Sequence, residues 1–138
     1  MSDALIQARR DFWTYVTGRD ATITTYRDSN AWCAMPCGDT VILVFGIEDD
    51  GSSVFLRGKL NSRVDTAGPV LRPHEAALRK RLILPFEAEK DAGQGRYFRK
   101  RTRLSYPIRS NWPDIADWFA RARLTFHTAL AQTLGDTP

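Results

Sequence analysis

The stretch "VILVFGI", Val41 to Ile47, is an unbroken apolar run flanked by turn residues on both sides. A run of that length, bounded by "CGD" (Cys37 to Asp39) and "EDDGSS" (Glu48 to Ser53), reads as a strand buried on both faces. Such a strand has to sit inside a sheet. The Asp50-Gly51 pair is a hairpin signal. The segment after it, "SVFLRGKL", alternates, with Val54, Leu56 and Leu60 on one face and Phe55, Arg57 and Lys59 on the other.

Two further strands precede the run. "ATITTYR" from Ala21 is rich in β-branched residues. Ser29-Asn30 marks a turn before "AWCAMP". Ahead of these, Leu5, Ala8, Phe12 and Val16 fall at helical spacing over Asp3–Val16, and Gly18 is expected to end that helix. Asn61 to Val70 reads as a loop. Pro73 then opens a helix carrying Ala76, Ala77, Leu78, Leu82 and Ile83. A polar turn region, "EAEKDAGQG", leads to a fifth strand over about Arg96–Tyr106. In the last segment Ile115, Trp118, Phe119, Ala122, Phe126, Ala129 and Leu130 share one helical face, with Asn111 and Asp114 placed as a cap. The order α-β-β-β-β-α-β-α predicts an α+β fold over 1–138 as one domain, with an antiparallel sheet of about five strands and three helices.

Hydrophobic residues make up 43% and charged residues 26% of the 138, values of a folded globular chain rather than a disordered one. No apolar run approaches the ~20 residues of a membrane span. The opening "MSDALIQARRDFW" lacks the regions of a signal peptide, so the expected compartment is the cytoplasm, with Cys33 and Cys37 reduced. The net charge of +4 is uneven. Residues 1–69 hold seven Lys/Arg against nine Asp/Glu, and residues 70–138 hold thirteen against seven. A basic second half suits an anionic partner.

Motifs for chemistry are sparse. His74 and His127 lie on different helices, and "CAMPC" has neither zinc-knuckle nor redox spacing. No nucleophile elbow or phosphate-cradling glycine loop is present. A nuclease holding magnesium through Asp49 or Asp50 would want an acidic residue two places before Lys59, where Arg57 stands. The sequence therefore offers no catalytic residues, no metal ligands and no cofactor site. It reads as a binding module.

The stretch "RYFRKRTRL", Arg96 to Leu104, has five cationic residues in nine. Strand alternation places Tyr97, Arg99, Arg101 and Arg103 on one face, and Phe98, Lys100, Thr102, Leu104 and Tyr106 on the core side. No acidic residue lies between Arg96 and Arg109, so the repulsion must be relieved by carboxylates on a neighbouring strand or by an external anion. Arginine's planar fork suits phosphate. Arg79, Lys80 and Arg81 extend the surface if their helix lies on that side. The four tryptophans, Trp13, Trp32, Trp112 and Trp118, are expected as core or interface anchors.

Three segments, "RRDFWTYV", "VILVFGIEDDGSSVFLRGKL" and "NWPDIADWFARARLTFHTAL", together resemble an uncharacterised bacterial domain usually found C-terminal to restriction-endonuclease-like nuclease domains. The likeness spans roughly Ala8 to Ala131. It implies antiparallel strands between an opening Phe-Trp helix and a closing Trp-rich helix, and a prokaryotic nucleic-acid, defence or phage context. It carries over no catalytic residue. The element order also resembles that of small secretion chaperones, which dimerise, although those are acidic. The first expectation is thus a nucleic-acid-binding accessory module. The second is a protein-interaction domain or homodimer, and the third is a metal-dependent nuclease.

Overall fold

The computed structural model describes residues 2–83 and 95–135. Within them lie three helices and a five-stranded antiparallel sheet in the expected α-β-β-β-β-α-β-α order: α1 Asp3–Arg19, β1 Thr24–Arg27, β2 Asn30–Met35, β3 Gly38–Glu48, β4 Gly51–Arg57, α2 Glu75–Leu82, β5 Tyr97–Thr102 and α3 Trp112–Leu134. A helical turn, Gly68–Leu71, and a 3-10 turn, Arg72–His74, lead into α2. The expected polar turn over 87–95 lies, apart from Gly95, outside the described residues.

The strands lie in chain order, β1-β2-β3-β4-β5, so β3 is central. Its odd-numbered residues Val41, Leu43, Phe45 and Ile47 join the main core with Phe12, Trp13 and Val16 of α1, Leu78 and Leu82 of α2, and Ile115, Phe119 and Phe126 of α3. The helices therefore cover one face of the sheet. Ile42 and Val44 point to the other face, outside that core cluster, yet are only 3% and 2% exposed. Across the strands, Val44 lies between Trp32 and Phe55, and Ile42 between Ala34 and Arg57. The run is buried on both faces as read, but among the described residues the second cover consists of side chains and loop rather than helix.

Several local expectations shift. Gly18 does not end α1, which runs to Arg19 and is capped at its start by Ser2, whose Oγ accepts from the Leu5 amide at 3.2 Å. Asn111 does not cap α3 through its side chain. Its Nδ2 donates instead to the Ser105 carbonyl, and Trp112 Nε1 donates to the Tyr106 carbonyl at 2.7 Å. Ile83 is not core. It takes the left-handed conformation that terminates α2 and is 83% exposed. Leu60 lies beyond the end of β4 and is half-buried.

The basic strand departs from simple alternation. Tyr97 pairs with Leu56 and Lys100 with Val54, so β5 spends one residue more than β4 over the same length. Phe98 absorbs it as a bulge at φ 57°, a left-handed conformation rare outside glycine. Tyr97 and Phe98 are consequently both buried in the core. Lys100 lies on the core side opposite Val54, where burial lowers its pKa. The strand stops at Thr102, short of Tyr106.

The aromatic centre joins the two long helices to β3. Phe119 is fully buried, stacked on Trp13 at 5.9 Å and edge-on to Phe45 at 5.0 Å. Trp118, expected on the same buried face, is only half-buried. Phe119→Ala should cost about 3–5 kcal/mol in denaturant unfolding. Trp118→Ala should cost clearly less, because part of its ring already meets solvent.

Candidate anion-binding site

The hairpin β3–β4 decides the fate of the basic strand. Glu48 ends β3, directly opposite Gly51. At Gly51 a Cβ would lie 2.5 Å from the Thr102 carbonyl oxygen, so only glycine lets β5 come this close to the hairpin. The approach brings the carboxylates to the arginines. Arg99 Nη2 lies 2.9 Å from Glu48 Oε1, and Arg101 Nη2 lies 2.9 Å from Glu48 Oε2 and 2.6 Å from Asp50 Oδ1. Repulsion along the ladder is relieved from within the sheet. The hairpin tip is an ion-pair acceptor. Its remaining carboxylate, Asp49, lies 4.0 Å from Arg9 and accepts from the Tyr106 hydroxyl at 3.5 Å.

The other expected site residues do not converge with these two. Tyr97 is corrected from the arginine face to the core face by the Phe98 bulge. Its hydroxyl donates to Asp65 and accepts from Arg72 at 3.4 Å, and burial together with Asp65 raises its pKa. Arg103 is exposed beyond the end of β5 and forms no ion pair among the described residues. Arg79, Lys80 and Arg81 sit on α2, in the helical layer. There Arg79 pairs with Glu75 at 2.9 Å and Arg81 donates to Gln132 of α3, while Lys80 is exposed. The sheet separates this group from Arg99 and Arg101, so it does not extend their surface.

A different set of cations does converge. On the face that none of the described helices covers lies a cleft enclosing about 390 Å³, with Val44, Asn30 and Phe55 on its floor. Tyr26 and Arg27 of β1 form one rim. Arg57 of β4, Lys59, Arg63 and Asp65 from the loop after it, and Arg96 ahead of β5 form the rest. Among the described lining residues, five cationic side chains and one carboxylate thus meet. Among the described residues, none of Arg27, Arg57, Arg63 and Arg96 is ion-paired to a carboxylate. Asp65 is already engaged, accepting from Tyr97 and from the Ala67 and Gly68 amides at 2.9 and 3.0 Å. Burial alone would raise its pKa, but these hydrogen bonds hold it below the ordinary carboxylate value. It caps the turn at Gly68–Leu71 rather than neutralising the arginines.

Two of the cleft arginines are held by rings instead of acids. Arg27 lies 5.0 Å from the Tyr26 ring centroid, and Arg96 lies 5.4 Å from that of Phe55. A guanidinium on an aromatic face keeps its N–H edge available to an incoming oxyanion. Phe55, Arg57 and Lys59 were readable from the alternation of their segment as the non-core set. That Arg27 and Arg96 join them across the sheet follows only from the strand order.

Elsewhere the described residues offer little for catalysis. No three His, Cys, Asp or Glu side chains among them cluster to hold a metal. Cys33 and Cys37 are both free, and burial pushes the Cys33 thiol up to about 12, far from a reactive thiolate. No helix among the described residues is long and apolar enough to cross a membrane.

The ion pairs at the hairpin predict a structural role for Arg99 and Arg101. Reversing both to Glu sets four carboxylates together and should lower stability by on the order of 1 kcal/mol, since the pairs are partly exposed. Thermal denaturation should show a fall of roughly 3–6 °C. An unchanged melting temperature would show that the pairs hold nothing in place. Set against protein-family models, curated proteins and solved structures, the chain matches none, so the reading of this cleft rests on its own residues.

Proposed function

We propose that this chain is a binding module for an anionic partner, nucleic acid, in a prokaryotic defence or phage-related system. The contact surface is the cleft on the sheet face that none of the described helices covers. The observation that carries the reading is the separation of two classes of arginine. Arg99 and Arg101 have carboxylate partners at 2.6–2.9 Å, whereas Arg27, Arg57, Arg63 and Arg96 share one concavity and have none among the described residues. Gathering unpaired like charges is unfavourable for the free protein, and a polyanion relieves it while releasing counterions. This moves the proposed contact from the basic strand to its neighbours. A nuclease built on Asp49 or Asp50 is a weaker reading, because Asp50 is committed to Arg101 and Asp49 faces Arg9.

Charge reversal separates the two classes. Arg27→Glu, Arg63→Glu and Arg96→Glu combined should weaken binding to any RNA or DNA. The log–log salt slope should become shallower by about 2–3 units, near one per lost phosphate contact. The melting temperature should hardly move, since none of the three ends in an ion pair among the described residues. Wild-type protein that retains no nucleic acid at low salt, with a monomer–dimer equilibrium in its place, would favour the protein-interaction role.

A further inference from the structure

We propose that the cleft takes a single strand of RNA or DNA rather than a duplex, with bases stacked on two arginine–aromatic platforms. This rests on the anion-binding reading above and goes on to name the form of the ligand. One platform is Arg27 on Tyr26, at 5.0 Å, and the other is Arg96 on Phe55, at 5.4 Å. Each ring holds a guanidinium beside it, and guanidinium groups and aromatic faces are what unstacked bases pack on.

The spacing of the platforms argues for an extended polymer. Tyr26 is on β1 and Phe55 on β4, with β2 and β3 between them. Three inter-strand spacings separate the platforms by roughly 14 Å. A single nucleotide or a free phosphate engages one of them at a time. A flexible strand reaches both while its phosphates meet Arg57 and Arg63. The floor between is suited to a base rather than a phosphate, with buried Val44 beside half-buried Asn30, whose amide can meet a base edge. A duplex keeps its bases stacked inside a rigid rod. It would use the cations and leave both rings and the apolar floor without a contact.

The test compares a labelled oligouridylate or oligothymidylate with a duplex of equal length by fluorescence anisotropy at one ionic strength. The single strand should bind about tenfold more tightly or better. Tyr26→Ala should weaken single-strand binding roughly fivefold to a hundredfold, without changing the salt slope. Tyr26→Phe should retain the affinity, because it keeps the ring. Phe55→Leu preserves apolar burial, removes the second ring, and should weaken strand binding in the same way. It also serves if Tyr26→Ala fails to fold by circular dichroism. Equal affinity for strand and duplex, insensitive to either ring, overturns this inference and leaves charge-driven anion binding standing. Absence of binding to both removes the two together.

Discussion

A strand apolar at nearly every position, in a sheet whose described helices cover one face only, is the constraint from which the rest of this structure follows. β3 must bury Ile42 and Val44 on the side that none of the described helices covers. Burying each is worth about 1.5–3 kcal/mol. The cover is assembled from Trp32, Phe55 and Arg57 on the adjacent strands, with the loop after β4 at the margin of the cleft. Arginine suits that duty, because its methylene stem lies on apolar surface while its head stays in water. A half-covered apolar floor ringed by cationic heads is the result. The same residues that complete the second core leave a concavity with positive walls.

The hairpin then sorts the charges. Glu48 and Asp50 sit where β5 passes closest, so the arginines of β5 that share their face are neutralised. The cleft arginines Arg27, Arg57, Arg63 and Arg96 have no carboxylate partner among the described residues. Such partly exposed pairs contribute little energy each. Their larger effect is on where positive potential remains, since a paired arginine presents little field to an approaching polyanion and an unpaired one presents much. Arg99 and Arg101, in the middle of the densest basic segment, therefore stay quiet, and scattered cations from four separate segments form the surface that an anion meets.

Much of the fold was legible because it depends on periodicity. The run at Val41–Ile47, the alternation after Gly51 and the helical face through Phe119 and Phe126 each carry their own signal. On β5 the core side of Phe98 and Lys100 and the opposite side of Arg99 and Arg101 were legible, but the place of Tyr97 was not, because Phe98 takes a left-handed conformation that no glycine announces. One bulged residue turns Tyr97 to the core side. The sequence did state the choice facing the ladder, a neighbouring carboxylate or an external anion. It could not say which, because Glu48 lies more than fifty positions from Arg99 and Arg101. Arg27 and Arg96 are farther apart still. Only the register of the strands between them brings their two rings to one cleft, whereas the Arg79–Arg81 cluster, conspicuous in sequence, is placed behind the sheet by the packing of α2 on α3.

The separation of paired from unpaired arginines is tested most directly by residue-resolved NMR of the wild-type protein titrated with a short oligonucleotide. Shift changes should concentrate at Tyr26, Arg27, Asn30, Phe55, Arg57, Arg63 and Arg96. The Arg99 and Arg101 guanidinium signals and the amides of Arg79 to Arg81 should stay in place. Changes centred on Arg99, Arg101 and Arg103, or on α2, would contradict the assignment of the cleft as the binding surface.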